Sequence, residues 1–188
     1  MNETVQEFIN DASGRMDKAV GACQNEFNTV RTGRASTALL DRIVVDYYGT
    51  STPLKQLANI SAPESRLLVI TPYDKLVIKE IEQAILESEL GLNPGNDGNV
   101  IRLTIPELTE ERRQELVKVV KGLAENGRVA VRNIRRHTNH DFKDLQKEGE
   151  ISEDELHWAE DELQKVTDGH TEKIDKILKH KEEEILEV

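Results

Sequence analysis

Residues 106–147 read PELTEERRQELVKVVKGLAENGRVAVRNIRRHTNHDFKDLQK, and the periodicity of this stretch decides the fold. Thr109 is placed to cap a helix, and Glu110 and Glu111 suit the positive end of its dipole. Leu116, Val120, Leu123, Ala130, Ile134 and Leu145 then mark one apolar side as far as about Lys147. At 1.5 Å per residue such a helix spans roughly 50 Å or more. A seam this narrow on a helix this long has to be covered by partner helices.

The sequence supplies two. Upstream, Val5, Ile9, Ala12, Met16, Ala19, Cys23, Phe27 and Val30 recur at intervals of three and four, with no proline among them. Downstream, Gly149 breaks the chain within KEGEISEDE, and Ser152 with Glu155 has the spacing of a capping box. The third seam is Leu156, Ala159, Leu163, Val166, Ile174, Ile177, Lys181 and Ile185. An antiparallel three-helix bundle closes all three seams.

Between the first and second helices the character changes. DRIVVDYYGT is β-branched and aromatic and ends in a glycine turn; ANISA, RLLVITP and VIRLTI read as short strands. DKLVIKEIEQAILESEL reads as an amphipathic helix stopping at Gly91, before the turn-rich GLNPGNDGN. The fold class expected is therefore α+β: an elongated bundle from residues 1–30 and 106–188, carrying an inserted small α/β domain over 34–103. The chain crosses between them twice, at 31–34 and 103–106, where Gly33 and Pro106 make a candidate hinge.

Composition agrees with long charged helices. Aromatic residues are 4% of the 188, while charged ones reach 32%, too few large rings for one thick core. No run approaches the ~18 apolar residues of a membrane span. The acidic start, MNETVQEFINDASG, lacks the pattern of a secretory signal. Cys23 is the single cysteine, so no intrachain disulfide can form, which suits a reducing compartment. A cytoplasmic protein is expected.

Charge is the functional signal. The chain totals -11, yet residues 112–147 carry +6 and residues 148–188 carry -10. At about 100° per residue, Lys118, Lys121, Arg128, Arg132, Arg135, Arg136, Lys143 and Lys147 fall within an arc of about 120°. Of the acidic residues only Glu125 interrupts it. A helix built merely for solubility mixes signs on its outer face. Eight cations along about 45 Å suit a phosphate backbone, and the arginines add planar forks that grip phosphates or stack on bases. A solvated face paired with acidic neighbours is the competing reading. Arg31 and Arg34 extend the basic set to the crossing segments.

The motifs RTGRAS, VVDYYGT, LGLNP, LTEERR and VAVRNIRR follow one another along essentially the whole chain, and in this order and spacing the sequence resembles the bacterial-type ribosome recycling factor family. The resemblance implies an L-shaped molecule that binds the post-termination ribosome between its subunits. It also implies action with elongation factor G and GTP, and a bundle that contacts large-subunit ribosomal RNA. Arg31, Arg128 and Arg132 match the family pattern best; Arg34, Arg135 and Arg136 follow, and Lys118 and Lys121 complete the expected RNA-binding set. The resemblance assigns no role to His137, His140 or Trp158.

Catalytic chemistry is not expected. His137 and His140 stand one turn apart beside Asp141, a partial metal site, but Arg135 and Arg136 would repel a cation. GLNPGNDGN lacks the lysine and the strand–helix context of a phosphate loop. No cofactor, metal or membrane partner is expected, and the chain should be a monomer. Two rivals remain: a coiled-coil protein oligomerising through its seams, and an enzyme built on the His137–His140 pair.

Overall fold

The computed structural model describes residues 3–187. In chain order the elements are α1 (Glu3–Thr29), β1 (Val44–Tyr47), β2 (Thr50–Pro53), α2 (Leu54–Leu57), β3 (Ala58–Glu64) and β4 (Leu67–Pro72). These are followed by α3 (Ile78–Glu87), β5 (Pro94–Asn96), β6 (Ile101–Thr104), α4 (Glu110–Lys147) and α5 (Glu153–Leu186). The chain divides into two compact units, one holding the residues up to Arg31 with Glu111–Glu187, the other Thr32–Glu110.

The first unit is a three-helix bundle. Arg113 near the start of α4 donates to the Leu186 carbonyl at the end of α5, and Lys143 near the end of α4 lies 3.8 Å from Glu160 near the start of α5. The Phe8 and Phe142 rings meet edge to face at 6.3 Å, while Cys23 reaches the Leu123 carbonyl. Helix α4 is therefore antiparallel to both α1 and α5, which run parallel to each other. Val5, Ile9, Ala12, Met16, Val20, Cys23 and Phe27 are buried from α1. The expected Ala19 is only half-buried and Val20 takes its place, because a seam of period 3.6 drifts off a strict alternation of three and four.

Small and polar side chains fill much of the seam. Helix α4 buries Leu116, Val120, Ala124, Gly127, Val131, Thr138 and Phe142, whereas Leu123, Ala130, Ile134 and Leu145 lie half-exposed at its edges. Helix α5 buries Ala159, Leu163, Thr167, His170, Ile174 and Ile185. The two threonines return their hydroxyls to carbonyls one turn back, Thr138 to Ile134 and Thr167 to Leu163, so neither costs an unsatisfied group. A Cβ on Gly127 would lie 2.9 Å from Cys23 Sγ and 3.2 Å from Ile174 Cδ1. This glycine lets three helices converge. Helix α5 opens with the expected capping box: Ser152 Oγ accepts from the Glu155 amide, and the Glu155 carboxylate accepts from the Ser152 amide.

The second unit holds a four-stranded antiparallel sheet, order β3-β4-β6-β5, and a separate β1–β2 hairpin. Alternation sets its core: Leu68 and Ile70 on β4 and Ile101 and Leu103 on β6 point inward, against Ile78, Ile81 and Ile85 of α3. The hairpin turns on Tyr48 and Gly49, with φ of 49° and 84°, and Asp46 accepts the Gly49 amide at 2.8 Å. Both crossing segments are tied to the β3–β4 turn, where Ala35 donates to Ser65 at 2.7 Å and Ile105 to Arg66 at 2.8 Å. Within the expected crossing at 103–106, Leu103 and Thr104 belong to β6 and Ile105 is bonded to Arg66. Gly33 has φ 76°, and a Cβ there would meet Leu108 Cγ at 2.9 Å.

Candidate nucleic-acid interface

The basic arc lies on α4, a 38-residue helix whose seam residues turn the cations outward. Lys118, Lys121, Arg132, Arg136, Lys143 and Lys147 are exposed, whereas Arg128 and Arg135 are half-buried. The acidic helix α5 runs beside the arc and supplies partners. Lys121 lies 3.6 Å from Glu182, Lys143 reaches Glu160, and Arg135 donates to Gln164 at 2.6 Å. Arg128 is the most firmly held. Its Nε and Nη2 donate to Asp175 Oδ1 at 3.0 and 2.6 Å, and its Nη1 donates to Glu125 at 3.3 Å. Arg136 bonds Asn133, Lys147 bonds Asp144, and Lys118 has no ion-pair partner among the described residues.

Glu125 gathers two of the arginines. Its Oε1 accepts from Arg132 Nη2 at 2.5 Å while Oε2 faces Arg128. The Arg132 hydrogen bond, then that of Arg128, holds the Glu125 carboxyl below its ordinary value. The Asp175 bond raises Arg128 further above the already high guanidinium value, so its charge is fixed. From sequence Glu125 was only an interruption of the arc. Its spacing three residues before Arg128 was the available signal; Asp175 and Gln164 could not have been found, since they sit on another helix.

Most of these pairs are open to solvent on at least one side, with Arg128 and Arg135 half-buried. Solvent-facing ion pairs contribute about 0–1 kcal/mol each and are screened by salt. Cations already held in extended, ordered poses need less ordering on binding. Arg31 and Arg34 are exposed on either side of the buried Thr32 and of Gly33, and Arg34 belongs to the second unit. The expected residues Lys118, Lys121, Arg128, Arg132, Arg135 and Arg136 share the one helix α4.

The histidines do not converge. His140 Nδ1 pairs with Asp144 at 2.9 Å rather than with His137, and no cluster of three or more metal-ligating side chains occurs among the described residues. His170 has a different place, buried between α5 and α1. Its Nδ1 lies 2.7 Å from the Val166 carbonyl and its Nε2 3.0 Å from Asp17, which also accepts from Lys173 at 2.7 Å. Among the described residues no helix is long and apolar enough to cross a membrane.

A family model described as "Ribosome recycling factor" matches residues 23–186. Ribosome-recycling factor from Geobacillus sp. (strain WCH70) is 61% identical, covering 98% of this chain and all of that one. The Bacillus subtilis (strain 168) factor is 55% identical over 97% of this chain and 99% of its own. A solution structure of a ribosome recycling factor is similar over 100% of both chains, with a TM-score of 0.70 and 45% identity. A second similar structure covers 97% of this chain and 98% of its own, at TM-score 0.62 and 45% identity. It represents the T. thermophilus factor with E. coli elongation factor G on the E. coli post-termination complex.

Proposed function

Given that the chain belongs to the ribosome recycling factor family, we propose that it binds the post-termination ribosome through the basic face of α4 and, with elongation factor G and GTP, promotes separation of the subunits. The observation that carries this reading is the line of cations from Lys118 to Lys147 on one face of a single rigid helix. Its length matches several successive phosphates. The bundle grips large-subunit ribosomal RNA, with Arg132, Arg136, Lys118 and Lys121 as exposed contacts and Arg31 and Arg34 as further ones. Arg128 and Arg135 contribute charge from half-buried positions.

The second unit receives the push. Elongation factor G acts on it, and the crossing segments around Gly33 and Pro106 let it move relative to the bound bundle. GTP hydrolysis on the partner drives the step; this chain supplies geometry and has no catalytic site of its own. It works as a monomer in the cytoplasm.

The test is a subunit-dissociation assay. Purified ribosomes carrying deacylated tRNA and messenger, mixed with elongation factor G and GTP, should separate on addition of this protein, followed by light scattering. A Lys118→Ala/Arg132→Ala/Arg136→Ala variant should slow the reaction at least tenfold and recover with rising protein concentration. Full activity of that variant would refute the α4 face as the binding surface.

A further inference from the structure

Glu125 is the only carboxylate within the basic arc between Lys118 and Lys147, and the structure gives it both family-matched arginines of α4. Each of its oxygens faces a different guanidinium, Oε1 that of Arg132 at 2.5 Å and Oε2 that of Arg128 at 3.3 Å. Two acceptor oxygens on one anionic centre, each facing an arginine, is the pattern a backbone phosphate presents. Arg128 is further fixed by Asp175 at 2.6 Å, and its Nη1 is left to face Glu125. The side chains of Glu125 and Arg132 are about half exposed, at 52% and 47%, so solvent and an incoming ligand can reach the pair.

We propose that Glu125 is a built-in competitor for phosphate: it occupies the position between Arg128 and Arg132 that an RNA phosphate takes, and binding exchanges one for the other. This inference rests on the reading of α4 as the RNA-binding face. The exchange lowers affinity for every polyanion by the same step. A ligand contacting the arc at many points clears that step, whereas one engaging only these two arginines does not. The stripe is thereby kept from holding on to passing nucleic acid in an otherwise acidic protein.

The test uses the full chain with Glu125→Gln, Arg132→Ala, and Glu125→Gln in an Arg128→Ala/Arg132→Ala background, with binding to purified ribosomes and to polyuridylate measured across a salt series. Glu125→Gln should tighten binding to both, by up to about fivefold for each exposed pair released. The gain should persist across the salt series with little change in steepness, since under the exchange both arginines meet phosphate in the parent as well. In the background lacking both arginines the same substitution should leave the steepness unchanged and lose most of its gain. Weaker or unchanged binding by Glu125→Gln, alongside weaker binding by Arg132→Ala, would overturn the competitor role while leaving the RNA face intact: Glu125 would then be organising the arginines. If Arg132→Ala binds as the parent does, the face itself is misassigned and the inference falls with it. Unchanged helicity by circular dichroism shows that each variant is folded.

Discussion

Gly127 sits where α4 meets α1 and α5 closely. A side chain there meets Cys23 from α1 and Ile174 from α5 at once. Gly127→Val should overpack this junction and cost about 1–3 kcal/mol, read as a fall in the denaturant midpoint with the slope unchanged. Cys23 is 4% exposed, and burial pushes its thiol upward from the ordinary value. It should resist thiol reagents in the native protein and react on unfolding; rapid native labelling would displace the register assigned to α1. His170 bridges α5 to α1, with Nδ1 beside the Val166 carbonyl and Nε2 beside Asp17. His170→Ala should cost about 2–4 kcal/mol through the void and the lost bonds. The pH dependence follows from Asp17, whose carboxyl Lys173, then His170, holds below its ordinary value. A depressed folded value means that this stabilisation is complete above the ordinary carboxylate range and is lost as pH falls through the folded one. Asp17→Asn should therefore flatten the acid side of the stability profile, read from denaturant midpoints measured across acid pH.

Among the elements, the ends of the helices were the most legible in the sequence. Ser152 and Glu155 announced the start of α5, and both bonds of the box are present. Ser152→Ala should cost about 1 kcal/mol, measurable by thermal unfolding. Long seams were legible for the same reason: repetition over 27 to 38 residues averages out single exceptions. What escaped was the polar and small content of those seams. Thr138, Thr167 and His170 look like surface residues, and only their bonds to carbonyls on their own helix, or to Asp17 on α1, make burial tolerable. Short strands escaped as well. β2 is TSTP, polar and ending in proline, and β5 is the PGN inside GLNPGNDGN. Neither carries an apolar alternation: the two threonines of β2 are followed by proline and β5 is Pro-Gly-Asn, so both are held by pairing with a stronger neighbour, β1 or β6. In the site, the cationic arc was legible because it lies on one helix. The anions that hold it were not, apart from Glu125, because Asp175, Glu160 and Glu182 come from α5.

At the scale of the molecule the account divides labour between two units. The seams of α1, α4 and α5 bury one another within the first, so its stability should not depend on the second. A variant in which a short flexible linker replaces residues 32–110 should fold as a helical monomer and still bind ribosomes. It should fail to separate their subunits if, as proposed, elongation factor G pushes on the second unit. Separation at the parental rate would dismiss the division of labour. The central claim, however, is that the outer face of α4 meets ribosomal RNA, and the most direct measurement of it is the salt dependence of ribosome binding. Parent and Arg132→Ala would be co-sedimented with ribosomes across a range of potassium concentration. The account predicts weaker binding for the variant and a log–log slope shallower by about one phosphate contact, with stability changed by no more than roughly 0.5 kcal/mol. An unchanged affinity and slope would contradict it.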